Sequence, residues 1–315
     1  MNREIFDALY EVWQKKDIKD KFWTDDLALL YGYPSPEALR SAFRRARKRY
    51  KTDNFNYHKP VNKKIFIFDL ETSPLIAYTF SYFGAYLSPD SVMQTPYILT
   101  WAGKYLYDNE IYGFRLNSDE ALEGNDLSII KNLIEIISEA DILVGYNLKN
   151  FDMKILNTRL IENGLKPLPP KQIVDVYQEI KKTFYFHSNS MKYVAKVLKV
   201  HQKIENEGIG LWKRCMNGDE DALIEMLDYC KGDILATEDI YIKILPFISH
   251  PNMGVFNQDS IRVCPNCGSS DIYQKGKYYT PAGEWLTYYC NSCGAFSRGK
   301  QNLLDKSKKK MLLIK

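Results

Sequence analysis

Residues 64–70 read KIFIFDL, a nearly continuous apolar run rich in aromatic and β-branched side chains and short enough for a buried strand. A core sheet is expected to begin here. The strand ends on Asp69-Leu70-Glu71, and because strand side chains alternate, residues 69 and 71 point to the same side. Two acids then share one face. Carboxylates held close together in a partly dry place repel, and the usual remedies are a shared proton or a divalent cation. Taken alone, the pair is also the pattern of a solvated strand end.

Outward from this strand, residues 97–102 and 110–114 are further strand candidates, and residues 127–140 form an amphipathic helix leading into a strand at 141–146. Residues 173–176 could form a last strand, followed by helical patterns at 190–198 and 221–245. The expected class is α/β, a mixed sheet with flanking helices. Two further chemical stretches fall on this frame. The first is Gly145-Tyr146-Asn147-Leu148-Lys149-Asn150-Phe151-Asp152, in the loop after a strand where α/β sites gather, with Asn150 as the candidate cap of a helix containing Asp152. Asp152 there also suits a helix dipole. The second is Tyr229-Cys230-Lys231-Gly232-Asp233, where a helical spacing of four puts Tyr229 and Asp233 on one face. A packed tyrosine beside a surface acid would look the same.

Together, in this order and at these separations, the three stretches resemble the Exo I, Exo II and Exo III motifs of the DEDD 3′–5′ exonuclease superfamily, in its tyrosine-bearing (DEDDy) branch. The resemblance covers about residues 63–247. FDLETSP at 68–74 and GYNLKNFD at 145–152 are most similar to the exonuclease domain of family B DNA polymerases, and SMKYVAKVL at 190–198 is similar to the helix before Exo III there. What the resemblance implies is an RNase H-like fold and a site with two Mg²⁺ or Mn²⁺ ions held by Asp69, Glu71, Asp152 and Asp233. It further implies that Asp69 bridges both ions, that Glu71 and Asp233 complete the ion that activates water, and that Asp152 supports the second, partly through water. Tyr229 would orient the attacking water, and Asn147 would help position nucleic acid. Two cations about 3.5–4 Å apart supply a nucleophile at neutral pH and neutralise charge on the attacking and leaving oxygens. The chain has no room for a polymerase palm and fingers, so the expected nuclease acts alone or with a partner.

Near the other end, Cys264-Pro-Asn-Cys267-Gly and Cys290-Asn-Ser-Cys293-Gly form two CxxCG knuckles around an interval that can hold a β-hairpin, with strand character at 271–273 and 287–289. Four thiolates at tetrahedral reach suit one structural Zn²⁺, and so short a segment with few aliphatics needs such a staple. This resembles a zinc ribbon. Its surface residues Lys275, Lys277, Arg298 and Lys300, with Tyr278, Tyr279 and Trp285, offer charge and stacking for nucleic acid; protein contact is the alternative. Cys215 and Cys230 lack partners at ligand spacing.

Residues 1–51 read as helices: one at 3–16, a second at 25–31 capped by Thr24, a break at Gly32-Tyr33-Pro34, then a start at Ser35-Pro36. From there Ala38, Leu39, Ala42, Phe43 and Ala46 cluster on one side, and Arg40, Arg44, Arg47, Lys48 and Lys51 on the other. This order fits a helix-turn-helix-like module whose basic helix could lie along a duplex. The expected organisation is therefore a helical nucleic-acid-binding module at 1–55, the RNase H-like exonuclease at 63–250, a zinc ribbon at 260–303 and a basic tail at 304–315.

Charge follows the same division. Residues 1–64 carry 15 basic and 9 acidic side chains and residues 262–315 carry 10 and 3, whereas residues 65–261 carry 18 and 27. Basic ends suit a polyanion, and an acidic centre suits divalent metal. With 45% hydrophobic and 26% charged residues over 315 positions, disordered and fibrous classes are excluded. No apolar run approaches the roughly 18–20 residues that cross a bilayer, and the acidic N-terminal stretch is unlike a secretory signal. A cytoplasmic protein is expected. The function these observations favour is trimming of DNA, single-stranded or at frayed 3′ ends. RNA trimming and structure-specific DNA cutting use the same residues, and a non-catalytic DNA-binding regulator would explain both basic ends.

Overall fold

The computed structural model describes residues 9, 23–50, 63–81, 83–84, 87–202, 207–257 and 261–313, with the side chains of 44–50 outside the description. Of the helix expected at 3–16, only Leu9 falls within it, in helical conformation. Thr24 accepts a hydrogen bond from the Leu27 N–H at 3.3 Å and starts α1 (Asp25–Leu30). Ser35 does the same for the Ala38 N–H at 3.2 Å, with Pro36 opening α2 (Pro36–Tyr50). Leu9, Ala28, Leu39 and Phe43 close a small core between them, so Leu39 and Phe43 of the expected apolar face point inward.

β1 (Ile65–Thr72) is the middle of the main sheet. A short pair, β2 (Ile76–Ala77) and β3 (Val92–Gln94), follows it, and then come β4 (Ile98–Tyr105) and β5 (Tyr112–Arg115). After α3 (Ser118–Glu123) and α4 (Leu127–Glu139), β6 (Ile142–Gly145) returns parallel to β1. Next are α5 (Asp152–Glu162), β7 (Gln172–Asp175), α6 (Val176–Thr183), α7 (Met191–Leu198), α8 (Ile209–Met216) and the long α9 (Glu220–Ile244). The sheet order is β5-β4-β1-β6-β7, antiparallel on one side of β1 and parallel on the other. This is the mixed α/β sheet that the sequence implied.

Alternation along β1 assigns its two faces. Phe66, Phe68 and Leu70 pack with Ile129, Leu133 and Ile137 of α4 and Leu156 and Leu160 of α5. Ile65 and Ile67 pack with Ile180 of α6, Val194 of α7 and Ile234 of α9. Each such buried side chain contributes about 1.5–3 kcal/mol, and together they pin the strand whose last turn of sequence carries the acids. β6 pairs with β1 only as far as Ile67, while β4 stays paired through Glu71 before the register shifts at Thr72. Asp69 and Glu71 therefore stand where β6 has already ended, on the face that looks toward α9. Gly145 lets the end of β6 lie close against β1, because a Cβ there would lie 2.8 Å from the Phe68 carbonyl oxygen.

Beyond α9, β8 (Ile272–Thr280), β9 (Gly283–Cys290) and β10 (Phe296–Arg298) form a three-stranded antiparallel sheet, and α10 (Lys306–Met311) lies in the expected basic tail. The sheet's cysteine end is buried in one cluster with Leu245, Ile248 and Met253. The Asn266 side-chain amide donates to the Leu245 carbonyl at 2.6 Å, and the Met253 N–H donates to the Pro265 carbonyl at 2.8 Å. Among the described residues, no helix is long and apolar enough to cross a membrane.

Candidate active site and cysteine cluster

α9 crosses the β1–β4 half of the sheet and brings distant carboxylates together. Asp69, Glu71 and Asp233 each offer a carboxylate oxygen, and these atoms all lie within 4.8 Å of one another. Asp233 is buried, while Asp69 and Glu71 are half-buried. The neighbouring thiol senses the charge: Cys230 donates to the Asp69 carbonyl at 3.6 Å, and burial, then Asp69, Glu71 and Asp233, push it well above the ordinary thiol range. Such a thiol stays neutral and acts as core packing. Cys215 is likewise buried.

Asp152 stands beside this cluster rather than within it. Its carboxylate accepts the Leu70 N–H at 3.0 Å, between the two acids of β1, and the residue is buried. Burial pushes its carboxyl up to about 7, against the backbone hydrogen bonds that favour the charged form. The helix it begins is not capped by Asn150; Phe151 occupies the N-cap and no side chain bonds there. The reason is the turn before it. Asn147 is left-handed (φ 65°), its carbonyl accepts from the Asn150 and Phe151 N–H groups, and the Leu148 carbonyl takes the Met153 N–H at 2.9 Å, the donor an Asn150 cap would need. That turn is held by a residue missing from the sequence reading. Asp175, buried at the end of β7, accepts from Asn147 N–H (3.1 Å), Lys149 N–H (3.0 Å) and Gln178 N–H (3.1 Å). Its signal was an acid directly before a helix, an N-cap pattern.

Tyr229 lies one turn before Asp233 on α9. It is buried, and its ring meets Trp212 of α8 edge-on at 6.1 Å. α9 starts on Asp219, whose carboxylate accepts from the Ala222 N–H at 3.1 Å, and a buried ion pair between Lys104 of β4 and Glu238 fixes its second half to the sheet. Glu238 also accepts the Tyr107 N–H at 2.9 Å.

The donor set suits a hard divalent cation. Oxygens sharing one octahedral Mg²⁺ stand about 3–4 Å apart, from bonds of about 2.1 Å, and three carboxylates already within 4.8 Å need little movement to meet that. The cysteines fit a soft ion equally well. Cys264, Cys267, Cys290 and Cys293 are buried with sulfurs within 4.8 Å of one another, and the Cys264–Cys293 and Cys267–Cys290 pairs lie 3.6 Å apart. Tetrahedral zinc with bonds of about 2.3 Å asks for sulfurs about 3.8 Å apart. Each knuckle closes by a glycine N–H donating to the first cysteine's carbonyl, Gly268 to Cys264 and Gly294 to Cys290, both at 2.9 Å. Their φ values of 75° and 79° explain the glycine after each CxxC.

The expected nucleic-acid contacts are placed unevenly. Arg40 is exposed on α2; Arg44, Arg47 and Lys48 follow it on that helix, with side chains outside the description, and Lys51 lies outside the described residues. On the ribbon, Lys277 is not an open charge, because it pairs with Glu284. Lys275 and Arg298 instead lie over aromatic rings.

A family model, that of the RNase H superfamily, matches residues 66–245, more than half of the chain. Among solved structures, the chain is similar to the family B DNA polymerase from the hyperthermophilic archaeon Pyrobaculum calidifontis, with 17% identity and a TM-score of 0.43. That match covers 59% of this chain and only 25% of the polymerase. No curated protein matches.

Proposed function

The chain belongs to the RNase H superfamily, and on that premise we propose that it is a metal-dependent 3′–5′ exonuclease acting on DNA, at single-stranded or frayed 3′ ends. One observation carries the reading: carboxylates from β1 and from α9, more than 160 residues apart in the chain, converge within 4.8 Å. In this reading Asp69, Glu71 and Asp233, with Asp152 beside them, hold two Mg²⁺ or Mn²⁺ ions. Cations bound there would acidify a water and neutralise charge on the attacking and leaving oxygens.

The chain's own residues do the rest. The packed strand and helix hold three acids at fixed separation before any substrate arrives, so little reorganisation remains at the moment of reaction. Tyr229 orients the attacking water through its hydroxyl, and its ring is fixed by Trp212. Asp152 acts as the ionised carboxylate, a form that positive charge nearby would favour over the neutral one that burial alone prefers. Asn147 contacts the nucleic acid from the loop that Asp175 braces. The helical module at 1–55, with Arg40, Arg44, Arg47, Lys48 and Lys51, and the ribbon at 260–303 hold the strand through its phosphates, and one zinc staples the ribbon. All six cysteines are unpaired, as suits a reducing cytoplasm.

The test is a set of matched DNA and RNA oligonucleotides, labelled at either end and offered single- or double-stranded, with Mg²⁺, Mn²⁺ or chelator. A ladder shortened from the 3′ end of DNA is expected, and Asp69→Ala abolishes it with the fold intact. A ladder on RNA alone, a single internal cut, or tight binding without turnover each replaces this reading by exoribonuclease, endonuclease or regulator.

A further inference from the structure

The ribbon sheet has two unlike faces. Register places Tyr273 opposite Tyr289 and Tyr289 opposite Phe296, and likewise Tyr278 opposite Trp285 and Thr287 opposite Arg298. These side chains therefore share one face. The other face carries Ile272 and Cys290 into the cluster shared with the end of α9. The aromatic face forms two groups. In the first, Tyr289 lies 5.6 Å from Tyr273 and 5.0 Å from Phe296, and the Lys275 ammonium sits 4.9 Å and 5.4 Å above Tyr289 and Phe296. In the second, the Arg298 guanidinium lies 4.6 Å from Trp285 and 5.7 Å from Tyr278. Phe296 is 60% exposed and Tyr278 48%. Among the described residues neither Lys275 nor Arg298 is ion-paired, and the one acid on these strands, Glu284, lies on the opposite face and is held by Lys277.

We propose that this face is a binding platform for single-stranded nucleic acid, remote from the acidic cluster, on which unpaired bases stack on the two aromatic groups while Lys275 and Arg298 take phosphates. The polymer's identity rests on the nuclease reading; the platform's chemistry does not. The exposed rings of Tyr273, Tyr278 and Phe296, beside cations that no acid pairs, match a polyanion that carries flat faces. A duplex conceals those faces between stacked pairs, and an acidic peptide supplies charge without them.

The experiment uses the full chain in the Asp69→Ala background, titrated with a labelled single strand long enough to span both groups, with the matching duplex, and with an acidic peptide. Trp285→Ala with Phe296→Ala weakens the single strand at least tenfold, the effect of one lost stacking contact. Lys275→Ala with Arg298→Ala flattens the log–log salt dependence by about 1.4, at about 0.7 per phosphate released. Zinc content near one per chain in each variant checks the fold, and if the aromatic pair loses zinc, the salt slope of the cation pair decides. Wild-type affinity and slope in the variants, or preference for the peptide, overturns the platform. A wild-type chain that binds through this face but never cleaves sinks the nuclease reading and leaves the platform standing.

Discussion

The acidic cluster and the cysteine cluster are built on opposite plans. The acids come from a strand and a helix whose packing is complete without them, since β1 and α9 are held by Phe66, Phe68, Ile67 and Ile234 and by the Lys104–Glu238 pair. The cysteines come from two knuckles in a segment whose longest strand, β8, leaves most of its side chains exposed. One cluster is a charge burden that the fold tolerates; the other replaces a core the segment lacks. A cation at the first should change chemistry and leave the architecture alone, whereas at the second it should decide whether the architecture exists.

The largest effect expected from this contrast is at the ribbon. Cys290→Ser, or strong chelation, would remove the zinc proposed for the ribbon, and zinc binding contributes about 10–16 kcal/mol to such modules. Limited proteolysis should then open 261–300 while 65–245 survives. Equal loss of both regions would erase the contrast, as would a zinc content near zero in metal-replete wild type.

The joint between the regions supplies the next effect. His250 donates from Nδ1 to the Pro251 carbonyl (2.8 Å), leaving Nε2 to accept from the Tyr241 hydroxyl (2.7 Å), and burial lowers its pKa to about 4. The folded value lies below the unfolded one of about 6.5. The unfolded chain therefore binds the extra proton between pH 6.5 and 4, and stability present above pH 6.5 is lost as pH falls through that window. The loss is up to about 3 kcal/mol, and His250→Gln should flatten it in urea titrations at stepped pH. An unchanged slope in that variant would assign the acid sensitivity elsewhere.

On the catalytic side, Tyr229→Phe keeps the Trp212 contact and removes the hydroxyl. Turnover should fall about 10²-fold with KM little changed, and a KM effect alone would make Tyr229 a packing residue. Smallest is the stability change that separates the plans most cleanly. Asp233→Asn removes one of three repelling carboxylates and should raise the stability of the metal-free protein by about 1 kcal/mol while ending cleavage. Substituting Cys264, Cys267, Cys290 or Cys293 in the metal-loaded protein moves stability the other way. Destabilisation by Asp233→Asn would mean the acid is structural.

Local patterns carried much of this into the sequence. Strand alternation placed Asp69 and Glu71 on one face, a spacing of four joined Tyr229 to Asp233, and CxxCG twice located the knuckles with their left-handed glycines. What escaped depends on partners distant in the chain. Asp175 is an ordinary acid until the 147–149 loop folds over it, and Lys104 with Glu238 is a pair only across β4 and α9. The Asn150 cap failed because the Met153 N–H it would have bound already donates to the Leu148 carbonyl. Short elements such as β2, β3 and β10 have too few residues for a period to show and are stabilised by what they pack against. Arg298 and Lys275 were legible as charge, but their seats over rings required the register of three strands.

α9 joins the two plans physically. Asp233 lies in its middle, and the Asn266 amide grips the Leu245 carbonyl just past its end, about 18 Å further along the axis at 1.5 Å per residue. The ribbon thus splints a beam that also carries a jaw of the acidic vice.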